Sequence, residues 1–191
     1  MTDKFRIKAY LLADRILEHS LWGIIFFIPI SKAAIEIFFG IGMLGFWAKK
    51  ILKPDFSFLK QPASVAVLLF MGFSAFSIIQ SGPYAQKSAE AFFFKWMEYV
   101  LIYFFAVDAL TRMSRQRIMI YILLVFSIVV GIDGIFQKFS GIDFIRGKEI
   151  MHIREGMVPV TGPFNHFNDF GAYLVVLISL TTALVFSADI P

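Results

Sequence analysis

The chain has 191 residues, of which 58% are hydrophobic and 17% aromatic, and its formal net charge is +4. A soluble globular domain contains about 45–50% apolar residues, so this excess, arranged in long runs, indicates a protein that has lipid as its solvent. Lys and Arg lie between the apolar runs and form no separate basic face, which argues against a nucleic-acid partner, and the absence of Cys excludes disulfides and thiolate chemistry.

The first apolar stretch, residues 21–48, is too long for one membrane span. As a single helix it would measure about 42 Å, against about 30 Å for the hydrocarbon core. Pro29 removes a backbone donor and favours a break, and Lys32 would be expensive at the centre of lipid. We therefore predict two short spans joined by a tight outer turn at Ser31-Lys32, with Lys32 and Glu36 as i,i+4 neighbours near the outer surface.

Four further apolar runs follow, separated by a basic loop at residues 49–62, a turn at residues 81–83 and a second basic loop at residues 112–117. Each run is long enough to cross the hydrocarbon core. We therefore predict an all-α fold, a polytopic integral membrane helix bundle of about six transmembrane helices in a single membrane domain. The predicted spans are residues 16–30, 33–48, 63–80, 91–110, 118–136 and 170–186. The first two form a short hairpin, and a long loop occupies residues 137–168.

The distribution of Lys and Arg orients these spans in the membrane. With the N-terminus inside, the inner segments hold eleven of these cations and the outer segments six, while Lys95 lies within a span. If residues 16–48 formed a single span, the same count would give nine inside and seven outside. The positive-inside rule therefore favours six spans, with both termini cytoplasmic and the long loop outside.

The end of the long loop, residues 154–173, is where polar, Gly and Pro residues crowd together and then pass directly into an apolar run. Residues 161–163 favour a turn, and Asn168 or Asp169 can cap the first free N–H groups of the sixth span. A helix N-terminus favours anions, and Arg154 lies a few residues upstream. The segment thus predicts a phosphate or diphosphate pocket at the outer surface, or, in the alternative interpretation, an ordinary helix cap beside a solvated loop charge.

Three ionisable residues fall inside or near the ends of predicted spans, where charges are functional candidates by default. Lys95 and Glu98 lie three residues apart in the fourth span, and Asp133 lies near the outer end of the fifth. The alternative is that Lys95 and Glu98 neutralise each other and that Asp133 has a capping or snorkelling role.

Metal and nucleotide chemistry have little support in the sequence. His152, His166 and Asp169 are spaced like no known set of metal ligands. The chain contains no P-loop, no nucleophile-elbow motif and no dinucleotide fingerprint. We therefore expect neither a metal nor a cofactor.

The polar segment also carries a resemblance to a known family. Arg154, followed by TGPFNHFNDFGAYL at residues 161–174, resembles the signature that precedes a span in the O-antigen ligase family of bacterial inner-membrane proteins. Residues 132–144 and 27–33 resemble the family's runs before that loop and at the first hairpin. Phe167 stands where many members have Pro. The signature marks a superfamily of ligases, polymerases and related glycan transferases without separating them.

The resemblance implies a function at the outer face of the bacterial inner membrane. Such proteins transfer a glycan from an undecaprenyl-diphosphate carrier to an acceptor such as lipid A core. The resemblance implies that Arg154, Asn165, His166 and Asn168 are candidates for lining the lipid-diphosphate site, and it assigns no catalytic residue in this chain.

Two other functions stay open. Family members are longer, with more spans and a second outer loop bearing an Arg and a His, so we expect this chain to match their N-terminal half. It would then be a non-catalytic fragment that needs the C-terminal half as a partner. The other alternative is a small-molecule permease, which predicts paired charges in broken helices and an internal repeat. The chain has no such repeat.

Overall fold

The computed structural model describes residues 3–150 and 159–186, and it is helical through most of both segments. The α-helices of this described part are α1 (Asp3–Phe27), α2 (Lys32–Leu52), α3 (Pro62–Ile79), α4 (Ala85–Ala91), α5 (Met97–Ala109), α6 (Met113–Ser140) and α7 (Phe167–Phe186). Short 3₁₀ turns lie at Ser57–Lys60 and Gly82–Tyr84, and a π-helical segment at Phe92–Trp96 joins α4 to α5. The described residues contain no β-strand, which confirms the all-α prediction over this part of the chain.

The break in the first apolar stretch lies where the sequence predicts it. α1 ends two residues before Pro29, and α2 begins at Lys32. The Lys32 Nζ lies 3.6 Å from Glu36 Oε1, so these two side chains form the expected i,i+4 pair. Both helices extend beyond their predicted spans, however, because α1 begins at Asp3 and α2 continues to Leu52.

Among the described residues, three helices, α3, α6 and α7, are long and apolar enough to cross a membrane. Only 11–22% of the residues in their most apolar stretches are buried inside the protein, so most of their apolar surface is available to lipid. These helices support the prediction of a membrane protein. α5 alone, with 13 residues, is too short to span the hydrocarbon core.

The chain divides into two compact units. The first consists of Met1–Leu21 and Phe38–Arg112, and the second of Trp22–Ile37 and Met113–Pro191. In the first unit, α1 packs closely on α2 because Gly45 has no side chain. A Cβ there would lie 3.1 Å from the carbonyl oxygen of Ala13 and from the backbone nitrogen of Leu17.

Aromatic rings fill the core of the first unit beside this helix contact. The Phe46 ring lies 5.1 Å from that of Phe105 and 5.9 Å from that of Phe58, and Phe58 lies 5.5 Å from Phe104. These separations are typical of favourable aromatic pairs, and Phe105 is fully buried. The cluster joins α2, α5 and the 3₁₀ turn that follows α2.

The second unit has an unusually polar interior. Alongside apolar core residues such as Val130 and Leu177, the side chains of Asp133, Gln137 and Asp143 are completely buried. A buried polar group is stable only when it is hydrogen-bonded, so these three side chains identify the point where the long loop is attached to α6.

Candidate anion-binding site

The first arm of the long loop is a closed turn built around Asp143. Its Oδ1 accepts a 2.5 Å hydrogen bond from the Arg146 N–H, and its Oδ2 accepts one of 2.8 Å from the Lys148 N–H. The Asp143 N–H in turn donates to the Lys148 carbonyl at 3.0 Å. Gly147, with φ +68°, allows the chain to reverse between the two cations. The buried carboxylate therefore fixes the backbone of both Arg146 and Lys148.

Asp133 attaches this turn to α6. The Phe144 N–H donates a 2.7 Å hydrogen bond to Asp133 Oδ1, and the Phe144 ring packs edge-on against Phe136 at 5.7 Å. Asp133, one of the predicted intramembrane candidates, thus lies beneath the loop and holds its backbone.

Gln137, one helical turn after Asp133 on the same face of α6, holds the second arm. Its Oε1 accepts hydrogen bonds of 2.9 Å from the N–H groups of both Thr161 and Gly162, and its Nε2 donates to Thr161 Oγ1 at 3.3 Å. The sequence predicts Gln137 in the outer loop and indicates no role for it. The i,i+4 spacing of two polar residues at the end of an apolar helix was the signal that could have identified it.

The two arms meet at Asn165. Arg146 Nη1 donates to the Pro163 carbonyl at 2.8 Å and lies 3.4 Å from Asn165 Oδ1, and Lys148 Nζ donates to the same Oδ1. Asn165 is exposed, as is Arg146, while Lys148 is half-buried. We call Arg146, Lys148 and Asn165 the cation cluster. In the sequence, Arg146 and Lys148 contribute only to the count of outer cations, and no site is predicted at them.

The cation cluster lies at the beginning of α7, which starts at Phe167. His166 caps this helix: its Nδ1 accepts a 3.2 Å hydrogen bond from the Asn168 N–H, and its ring stacks on Phe167 at 4.2 Å. The prediction that Asn168 or Asp169 provides the cap is wrong, because the helix begins before them. Both residues lie in its first turn, where they are exposed.

The electrostatics of the cluster favour an anion. Among the described residues, no carboxylate forms an ion pair with Arg146 or Lys148, and Asp143 directs both oxygens to backbone N–H groups. The first turn of α7 adds the positive end of the helix dipole. Two cations beside a helix N-terminus can bind a phosphate or diphosphate by charge-assisted hydrogen bonds.

The other predicted site residues lie elsewhere. Arg154 and His152 fall outside the described residues. Lys95 and Glu98 belong to the first unit: Lys95 is exposed on the π-helical segment, and Glu98 is half-buried in the first turn of α5. π-Helical turns are rare and occur frequently at functional sites, which keeps Lys95 a candidate.

The first unit also contains a buried ionic network that sequence reasoning missed. Lys49 Nζ lies 2.7 Å from Asp14 Oδ1 and 2.8 Å from Asp108 Oδ2, and Lys50 Nζ lies 2.6 Å from Asp108 Oδ1. Lys50 Nζ also lies 4.5 Å from the centre of the Phe58 ring, a cation–π distance. The prediction that both lysines belong to a basic loop is wrong, because α2 continues through them and both are buried.

Next to this network, the loop after α2 is closed by Asp55. The Ser57 N–H donates a 3.0 Å hydrogen bond to Asp55 Oδ1, and this bond holds the pKa of the exposed Asp55 carboxyl below its usual value. The Asp55 carbonyl accepts a 2.5 Å hydrogen bond from Lys50 Nζ, so the loop and the network are connected.

Within the described part of the chain, no group of three or more His, Asp or Glu side chains is arranged to hold a metal ion. A comparison of the chain with protein-family models, with curated proteins and with solved structures returned no match.

Proposed function

We propose that the cation cluster binds the diphosphate of an undecaprenyl-diphosphate-linked glycan. In this proposal the protein is an O-antigen ligase-like membrane protein, which takes part in transferring the glycan to an acceptor such as lipid A core. The observation that carries the proposal is the convergence of Arg146 and Lys148 on Asn165 at the beginning of α7. The resemblance of residues 161–174 to the family signature supports the identity of the ligand.

The geometry suits a diphosphate because Asn165 orients the two cations without neutralising them. Its Oδ1 is a neutral acceptor that both side chains already contact, so an incoming phosphate oxygen can replace it with little rearrangement. Arg146 offers a planar fork of donors and Lys148 a compact charge, and both are common phosphate ligands. The diphosphate is also the leaving group of a glycan transfer, so cations at this place would stabilise the charge that develops on it.

The membrane setting supports a lipid-linked substrate. α7 is apolar enough to cross the hydrocarbon core, and the cation cluster lies just before its first turn. In a membrane-spanning α7 the cluster would lie near the lipid headgroups. We propose that the spans number six, with both termini in the cytoplasm of a bacterial cell and the cluster at the outer face of the inner membrane. Arg154, on the segment that connects the two arms, is proposed as a further diphosphate ligand.

The test is binding of undecaprenyl diphosphate by the protein purified in detergent, with undecaprenol as the uncharged probe. Arg146→Gln and Lys148→Gln should each weaken binding of the diphosphate about ten- to hundredfold, since a hydrogen bond to a charged group contributes about 1.5–3 kcal/mol. Neither change should affect undecaprenol. Lys138→Gln removes an exposed cation at the end of α6 and is the matched control. Equal affinity for the two probes would rule out the site.

Transfer is measured separately, with a labelled glycan carrier and lipid A core. The alternative that this chain is a non-catalytic half predicts binding without transfer, and transfer only when a C-terminal half is supplied. Binding and transfer by the chain alone would rule out that alternative.

A further inference from the structure

A groove of about 230 Å³ lies in the second unit, between the first half of α6 and the second half of α7. Its apolar walls include Ile120, Tyr121 and Leu124 from α6, and Leu184 and Val185 from α7, and the Arg117 side chain lines it as well. We call it the α6–α7 groove. It lies at the opposite end of both helices from the cation cluster, which follows the end of α6 and precedes α7.

The groove is open to lipid. Both helices that form it are apolar enough to span a membrane, and its rim residues Tyr121 and Val185 are 59% and 70% exposed. The hydroxyl of Thr181, which also lines the groove, donates to the carbonyl of Leu177 in its own helix, so this polar group is satisfied. The wall therefore favours an apolar occupant.

The length of the groove suits an acyl chain. An extended hydrocarbon chain is thinner than an α-helix, which is about 10–12 Å across with its side chains. From Arg117 to Leu124 the groove follows α6 for about 10 Å, a length that several methylene groups of one chain would cover.

The charge at the end of the groove indicates which kind of lipid headgroup would bind there. Arg117 lies in the second turn of α6, where a membrane-spanning α6 would meet the lipid headgroups, and the residue is exposed. A guanidinium binds phosphate through two parallel hydrogen bonds and attracts anionic lipids. Tyr121, one turn further on, is a residue type that is enriched at the level of lipid headgroups.

From these observations we propose that the α6–α7 groove is a binding site for an anionic phospholipid. One acyl chain lies between Leu124 and Leu184, and the phosphate is bound by Arg117. This site is separate from the cation cluster, and the proposal does not depend on the glycan-transfer function.

The test is native mass spectrometry of the full chain after exchange into detergent with added phosphatidylglycerol or phosphatidylcholine. The protein should retain phosphatidylglycerol at least several-fold more than phosphatidylcholine. Arg117→Gln should abolish this preference, whereas Arg112→Gln, which removes a neighbouring exposed cation, should preserve it. Equal loss in the two variants would mean that the lipid responds only to general positive charge, and would overturn the site.

A second variant tests the groove itself. Val185→Trp should fill it and reduce the retention of both lipids while leaving Arg117 unchanged. Thermal unfolding of each variant shows whether the fold is intact. Unchanged retention in a folded Val185→Trp protein, or a second copy of the chain bound in place of lipid, would overturn the proposal.

Discussion

Lys50 Nζ lies 2.6 Å from Asp108 Oδ1 while only 2% of the lysine side chain is exposed. The other oxygen of the same carboxylate pairs with Lys49, which also pairs with Asp14. Two buried cations are thus balanced by two carboxylates, and each lysine depends on Asp108. The network connects α1, α2 and α5 within the first unit.

Asp108→Ala should therefore destabilise the first unit strongly. Removing one partner of a buried ion pair leaves an uncompensated charge and typically costs about 3–5 kcal/mol. The measurement is thermal or denaturant unfolding in detergent. The control is Glu36→Ala, which breaks the ion pair with Lys32. The Lys32 side chain is 79% exposed and that of Glu36 is 56% exposed, so this change should alter the free energy of unfolding by less than about 0.5 kcal/mol. Equal losses of stability in the two variants would mean that the buried network contributes no more than an exposed ion pair.

Gln137→Ala should loosen the second arm of the loop. It leaves the buried N–H groups of Thr161 and Gly162 without their acceptor. An unsatisfied buried group lowers the stability by about 1–3 kcal/mol. Because this arm carries Asn165, diphosphate binding should weaken as well. Gln86→Ala, which removes an exposed hydrogen bond to Glu90, is the control and should leave both stability and binding unchanged. Normal binding by Gln137→Ala would show that Asn165 is positioned by other contacts.

Gly134→Ala should destabilise the second unit because the added Cβ would lie 2.6 Å from Cζ of Phe170. Phe170→Leu in the same chain should recover part of the loss, and a double-mutant cycle measures this coupling by comparing unfolding of the single and double variants. At Gly131 an added Cβ would meet no atom within 4 Å, so Gly131→Ala should stabilise the helix by about 0.5–1 kcal/mol. Additive effects of the Gly134 and Phe170 changes would contradict the contact.

The six-span orientation is tested by labelling single cysteines in a chain that has none of its own. Lys53→Cys, in the loop after α2, should resist a membrane-impermeant thiol reagent in intact cells. Gly156→Cys, in the long loop, should react. Both should react once the membrane is permeabilised, and the reverse pattern in intact cells would refute the topology.

Local sequence was enough to predict most of the helices. The apolar run of α3 and the break at Pro29 are set by composition and by proline stereochemistry, so their bounds were predicted within a few residues. The burial of Lys49 and Lys50 was not predictable in this way. Their partners Asp14 and Asp108 are 35 and 58 residues distant in sequence, and only tertiary packing brings them together.

The same distinction applies to the candidate site. Asn165 and His166 were identified from a motif that is continuous in sequence. Arg146 and Lys148 were missed because they approach Asn165 only through the turn that Asp143 closes. Asp and Gly are both residue types that favour turns, so Asp143 and Gly147 could have suggested that this part of the loop is compact.

The buried lysines also change how the charge bias is interpreted. Lys49 and Lys50 were two of the eleven cations assigned to the inner side. Because both are buried and paired, they contribute little to the charge that the protein presents to a membrane surface. The proposed orientation therefore depends on the remaining exposed cations, such as Lys53.

The Phe170 ring, which contacts both Gly134 on α6 and Gly162 on the loop, has a consequence for the order of assembly during translation. The ribosome synthesises α6 and the Thr161-Gly162 turn before it adds Phe170. Until α7 is inserted, the surface against which Gly162 packs is incomplete. The loop therefore reaches its final shape only after α7 has formed, and a nascent chain halted before that point would lack the complete cation cluster.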